Sequence, residues 1–109
     1  MERNDDIVLV YITAGTGDEA RRIGRELVTQ RLAACANIFD SATSFFWWEG
    51  AVQEETEAAL VVKTKSALLD HLISKVKELH SYSCPCIVAF PVIRGNPAFL
   101  EWIRNETIE

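Results

Sequence analysis

The spacing of apolar residues changes along the chain, and each change marks an element. Ile7 to Ala14 is a continuous β-rich apolar run, which predicts a strand buried on both faces. Gly15-Thr16-Gly17 ends it. Thr16 and Glu19 then form a capping box, each side chain covering an orphan backbone donor of the helix that follows. That helix places Ala20, Ile23, Gly24, Leu27 and Val28 on one stripe and turns its arginines and Glu26 away. From Ala34 to Trp48 the pattern is strand-like, with a bend at Asp40-Ser41. Glu49-Gly50 is a tight-turn signal, and Val52 to Lys63 runs back as the second arm of a long hairpin. Thr64 or Ser66 caps a second helix whose stripe is Leu69, Leu72, Ile73, Val76 and Leu79, ending at His80-Ser81-Tyr82-Ser83. Cys86 to Val92 is a fourth strand. Asn96-Pro97, a cap residue followed by proline, opens a short helix carrying Phe99, Leu100 and Ile103.

The resulting order is βαββαβ plus a C-terminal helix. Right-handed crossovers put both long helices on one face of a four-stranded antiparallel sheet, the ferredoxin-like α+β arrangement. One domain covers residues 1–109, with 1–6 expected as a flexible N-terminal segment. Phe45-Phe46-Trp47-Trp48 sits at the hairpin tip, far from the helices. Strand alternation sends neighbouring side chains to opposite faces, so a single core does not bury all four. Such a patch predicts contact with further copies of the chain.

Charge narrows the partners. Eleven Lys and Arg against sixteen Asp and Glu give a net charge of −5. With no run of basic residues, this surface repels phosphate backbones, and nucleic acid is not an expected partner. No apolar stretch approaches a membrane span, and Met-Glu-Arg-Asn-Asp-Asp lacks the form of a secretory signal, so a cytosolic protein is expected. Three cysteines, an odd number, point to thiols rather than a disulfide framework.

His80 with Cys84 and Cys86 is the most pointed chemical cluster. Imidazole and thiolate are ligands for copper and zinc, and cysteines two apart in an extended segment share a face. Against this, cysteine is often simply buried, and a histidine at a helix end complements the helix dipole. Gly15-x-Gly17-x-x-Ala20, with Asp40 downstream, matches a relaxed dinucleotide fingerprint, but the antiparallel hairpin removes its required context. Cys35 is expected in the core and His71 on the surface. Lys63, Glu55 and Glu57 are either cleft residues or solvated strand positions. Cys–His catalysis would need a paired base and an oxyanion hole that the sequence does not display.

Several of these residues also fall into a known order. Arg31 to Ile38 (Arg-Leu-Ala-Ala-Cys-Ala-Asn-Ile), Thr43-Ser44 and Trp48-x-Gly50 resemble the CutA divalent-cation tolerance family. So do Glu57 followed by Leu60 and Lys63-Thr64, His80-x-Tyr82, Pro91-Val92 with Gly95, and Leu100-x-Trp102-Ile103. The resemblance covers nearly the whole chain. It implies a ferredoxin-like homotrimer with hairpins pairing across subunits, linked to tolerance of copper and other divalent metals. No established reaction comes with it, so a non-enzyme is expected. The trimer is similar to that of PII signalling proteins, which leaves open a signalling module binding a small ligand or partner at intersubunit clefts. Carried over by position, the cleft residues are Trp48, Glu57, Lys63, His80 and Tyr82. The chain departs from the family pattern at Ser81 and at Pro85-Cys86, where a proline and a Pro-Glu are usual. A thiol in place of that glutamate favours Cu or Zn at His80, Cys84 and Cys86 over harder ions.

Overall fold

The computed structural model describes residues 6–108. The elements run β1 (Ile7–Ala14), α1 (Gly17–Thr29), β2 (Cys35–Trp48), β3 (Ala51–Lys65), a 3-10 turn (Ser66–Leu68), α2 (Leu69–Leu79), β4 (Ile87–Pro91) and α3 (Pro97–Glu106). The four strands form one antiparallel sheet in the order β2-β3-β1-β4. This is the expected ferredoxin-like α+β fold.

Alternation divides the sheet into two unlike faces. Val10 and Ile12 of β1 and Leu60 and Val62 of β3 are fully buried, together with Ile23 and Leu27 of α1 and Leu72 and Val76 of α2. Each such aliphatic side chain contributes about 1.5–3 kcal/mol by leaving water. α1 lies close to the sheet at Gly24, where an added Cβ would stand 3.2 Å from Ala36 and Ile38 and 3.3 Å from Leu60. The opposite face carries Tyr11, Lys63, Val88 and Phe90. α3 covers only one end of it, with the Phe99 ring 5.7 Å from Lys63 Nζ and Ile103 buried.

The ends of the helices are held by specific contacts. Thr16 caps α1 by accepting the Glu19 N–H at 3.1 Å. The second half of the expected capping box differs: the Glu19 carboxylate accepts from Gly15 N–H and reaches on to Ser81. α1 ends in a Schellman arrangement, Leu32 N–H to Leu27 O and Arg31 N–H to Val28 O. Arg31 takes the left-handed position (φ 59°) that glycine usually fills. Its guanidinium bonds Glu106, which ties α3 to this corner. Neither Thr64 nor Ser66 caps α2. The 3-10 turn intervenes, and the Thr64 hydroxyl is instead buried, donating to Leu32 O at 2.6 Å. Of the expected flexible segment, residues 1–5 lie outside the described residues. Asp6 is held: its carboxylate pairs with Arg104 at 2.7 Å and its carbonyl accepts from Ser66 N–H.

The hairpin is longer than the body of the sheet. β1 ends opposite Ala58, whereas β2 and β3 continue through seven further residue pairs, from Ala42–Glu57 to Trp48–Ala51. The predicted bend is a register shift between Phe39 and Ala42. Glu49 and Gly50 both have positive φ (52° and 82°), the two-residue turn whose twist matches a hairpin. Phe45, Trp47 and Trp48 at the tip are 67%, 74% and 50% exposed, so the domain does not bury its own aromatic tip.

Candidate functional site

A cleft of about 560 Å³ opens on the second sheet face, where the hairpin leaves the body. Strand parity builds it. Trp48, Phe46 and Ser44 of β2 point to the same face as Gln53, Glu55 and Glu57 of β3, because these positions pair or alternate across the ribbon. β1 adds Tyr11 and Thr13. The segment between α2 and β4 closes the inner end with Tyr82, Cys84 and Cys86.

That segment is fixed by a set of polar contacts, several of them partly buried. Glu19 accepts from Ser81 N–H at 2.7 Å, from the Ser81 hydroxyl at 3.1 Å and from Gly15 N–H at 3.1 Å. Burial works to raise the Glu19 carboxyl, but these hydrogen bonds outweigh it and hold the pKa below the usual carboxylate range. The His80 side chain is fully buried. Its Nε2 lies 2.7 Å from Thr13 O and its Nδ1 accepts from Tyr82 N–H at 3.0 Å. A carbonyl can only accept and a backbone N–H can only donate, so the ring is the neutral Nε2–H tautomer. Its 3.6 Å approach to Glu19 is therefore not an ion pair. The Tyr82 ring packs on His80 at 4.7 Å, and its hydroxyl donates to Glu57 Oε2 at 2.8 Å. Burial, then Glu57, pushes the Tyr82 phenol far above its ordinary range.

Glu57 is 8% exposed and inward-facing. Its other oxygen has no hydrogen-bond partner among the described residues, yet no buried side-chain oxygen there lacks one, so this oxygen faces the cleft. Burial pushes the Cys86 thiol up and the Glu57 charge adds to that, with a hydrogen bond to Thr13 opposing them. The cleft field is thus negative, and Cys86 is held as a thiol.

The sequence-predicted site residues separate into three groups. Trp48, Glu57, Tyr82, Cys84 and Cys86 come together on the cleft, and Cys84 and Cys86 share it as their spacing implied. His80 stands behind it with both ring nitrogens in use. Among the described residues no group of three or more His, Cys, Asp or Glu is placed to hold a metal ion. Lys63 lies six residues along β3 from Glu57, roughly 20 Å at strand rise. There it donates to Asn37 at 2.8 Å and lies 3.8 Å from the Cys35 sulfur. Cys35 is consequently on the second face and half-buried, not in the core. Asp40, the supposed ribose ligand, pairs with Arg21 at 2.7 Å. His71 is exposed, as expected. Sequence reading missed Tyr11, Thr13, Ser44, Phe46 and Gln53. The period-2 polar set Gln53-Glu55-Glu57 was the available signal, since it marks one face of one strand.

An antiparallel ferredoxin-like sheet with a projecting hairpin and a thiol-lined cleft at its base sets this chain among small α+β proteins. The family model described as CutA1 divalent ion tolerance protein matches residues 8–106. The Divalent-cation tolerance protein CutA of Archaeoglobus fulgidus is 49% identical over 100 residues, covering 92% of this chain and 96% of that protein. A structure from the same organism, described as periplasmic, superposes with a TM-score of 0.89 at 46% identity over 92% of this chain and 97% of that one. The rice relative named Protein CutA 1, chloroplastic, is 39% identical over 94% of this chain, which spans 58% of that protein. The crystal structure of CutA1 from rice has a TM-score of 0.92, at 39% identity over 94% of each chain. The chain belongs to the CutA divalent ion tolerance family. The family description and the archaeal names cite tolerance, none of these names cites a reaction, and they mention more than one compartment. No helix among the described residues is long and apolar enough to cross a membrane.

Proposed function

We propose that this protein serves divalent-metal tolerance as a homotrimer that takes up copper- or zinc-class ions through Cys84 and Cys86. One observation carries the reading: both thiols are free, exposed and open onto the same acidic cleft. Thiolates select soft ions, and two of them suffice for Cu(I), whereas zinc needs further ligands from a neighbouring subunit. His80 acts by fixing Tyr82 and the thiol segment, not as a third ligand in this geometry. Because Cys86 is held as a thiol, metal must displace its proton, and affinity rises with pH. Two features support self-assembly: exposed Phe39, Val88 and Phe90 on the second sheet face, and the unsupported aromatic ribbon. Three free thiols suit a reducing compartment such as the cytosol. The role is binding rather than catalysis, since the one nearby imidazole is committed to backbone groups.

Native mass spectrometry of the reduced protein with Cu(I) or Zn(II) tests this. The expected result is a trimer with a whole-number metal load that disappears in the Cys84→Ser/Cys86→Ser variant. Unchanged metal affinity in that variant sinks the thiol site. The cleft volume of about 560 Å³ favours a second reading, because it far exceeds one ion. In that reading the protein is a PII-like signalling module whose cleft binds a small molecule.

A further inference from the structure

Two hydrogen bonds fix the protonation state of His80, and one of them cannot survive a change in it. With the ring neutral, Nε2–H donates to Thr13 O at 2.7 Å and Nδ1 accepts from Tyr82 N–H at 3.0 Å. A second proton makes Nδ1 a donor, and it then faces the Tyr82 N–H, which is also a donor. Another acceptor is already at hand, because Glu19 Oε2 lies 3.6 Å from Nδ1. Burial raises the Glu19 carboxyl, but its bonds from Ser81 and Gly15 outweigh that, so it is still ionised in the range where histidines take up a proton. The His80 side chain has no exposed surface in the single chain, so a neighbouring subunit has no part of the ring to touch.

The other groups around the ring leave Glu19 as its counter-charge. Besides Glu19, α1 presents Arg22, whose guanidinium donates to Leu79 O at 3.2 Å at the end of α2. The Tyr82 ring packs on His80 at 4.7 Å, and Glu57 of β3 is reached through the Tyr82 hydroxyl. Beyond Thr13 lies Cys86, which burial and then Glu57 hold as a neutral thiol. Residues 80–86 form neither helix nor strand, and Tyr82, Ser83, Cys84 and Cys86 line the cleft. What holds the Tyr82 backbone therefore holds the inner wall.

We propose that His80 is a pH-sensitive latch on that wall: protonation turns its Nδ1 from the Tyr82 N–H to the Glu19 carboxylate, and the released backbone lets Tyr82 to Cys86 shift. This goes beyond both readings of the ligand, since the wall is the same whether the cleft takes a metal ion or a small molecule.

The test is NMR of the reduced, assembled, metal-free protein in chelator, from about pH 8 to about pH 5, the window in which histidines change charge. Ring-nitrogen shifts report the protonation of His80, with the exposed His71 as an internal reference. The expected result is a single transition in which His80 Nδ1 gains a proton and the Tyr82 and Cys84 amides move with the same midpoint. Protection of the Tyr82 amide against hydrogen exchange should fall by at least about tenfold across it. Glu19→Gln removes the counter-charge and should lower the midpoint by about one pH unit. His80→Gln keeps a donor for Thr13 O and has no titrating nitrogen, so its Tyr82 amide should be insensitive to pH over the window. Should that variant fail to fold, the parent and Glu19→Gln decide the matter alone. A His80 ring that stays neutral to about pH 5 overturns the proposal. So does a ring that gains its proton while the Tyr82 amide keeps its shift and protection, or a Tyr82 transition that persists in His80→Gln.

Discussion

The body of the sheet and the ribbon beyond Ala58 are made from the same two strands, yet they are held by different forces. Under α1 and α2, β3 presents Ala58, Leu60, Val62 and Thr64 to a closed interior, all with 0% exposure. Past the end of β1 the same strand reads Ala51 to Glu57, its backbone paired with β2 alone. A two-stranded ribbon is marginal in water without a third layer. The body is thus a self-sufficient fold, whereas the ribbon carries aromatic surface whose burial requires another molecule. The cleft sits where the two regimes meet, with its inner end built on the rigid body and its outer wall on the ribbon.

The sharpest way to break this contrast is to damage the body. Leu60 is fully enclosed beneath the Gly24 approach of α1. Leu60→Ala should lower unfolding stability by about 2–5 kcal/mol, since the close helix leaves little room to collapse around the cavity. Urea denaturation with an unchanged m-value and a lower midpoint is the expected outcome. A loss under about 1 kcal/mol would mean that the core relaxes freely there, unlike other enclosed leucines.

A smaller effect is expected at the junction. Glu19→Gln removes the charge that accepts from Ser81 and Gly15, and should cost about 1–3 kcal/mol at neutral pH. The folded pKa of Glu19 is depressed, so its contribution is present above the unfolded value, about 4.3, and disappears as pH falls through the folded one. The parent should lose stability on acidification below about pH 4–5. The Gln variant should lose less over that window. Parallel pH profiles for the two proteins would show that Glu19 carries no titration-linked stability. The same variant loosens the Tyr82–Cys86 segment, so it should also weaken ligands of the cleft.

These regions are not equally legible in the sequence. β1 and the hairpin turn can be read because their signals are local: a continuous apolar run, and Glu49-Gly50 in the positive-φ positions. The bend at Asp40-Ser41 is visible for the same reason. Cys35 departs from its expected core position because Leu32 to Cys35 is uninterrupted apolar sequence, which carries no alternation to assign faces, and its parity is set by pairing with Lys63. The start of α2 differs from expectation because Thr64 has a buried tertiary partner, Leu32 O, that outcompetes capping. The cleft is half legible. Trp48, Glu57, Tyr82 and the two cysteines stand out by type, whereas the commitment of His80 to Thr13 spans 67 positions and leaves no local trace. Lys63 shares a face with Glu57, but parity alone does not measure distance along a strand.

The smallest effect on folding, and the most informative about the ribbon, is expected from Phe45→Ser/Trp47→Ser. Both side chains are largely exposed, at 67% and 74%, on the ribbon face away from the cleft. Substitutions at such positions usually move the stability of the folded domain by no more than about 0.5 kcal/mol each. Because alternation puts them on the face opposite Phe46 and Trp48, the cleft wall should also stay as it is. Assembly should change. If the aromatic tip is covered by a neighbouring subunit, its loss weakens association, and sedimentation velocity across a dilution series should show smaller species at concentrations where the parent remains whole. Full assembly retained at every dilution would assign subunit contact to the sheet face around Phe39 and Phe90 instead. The tip would then be left as a surface for a different partner.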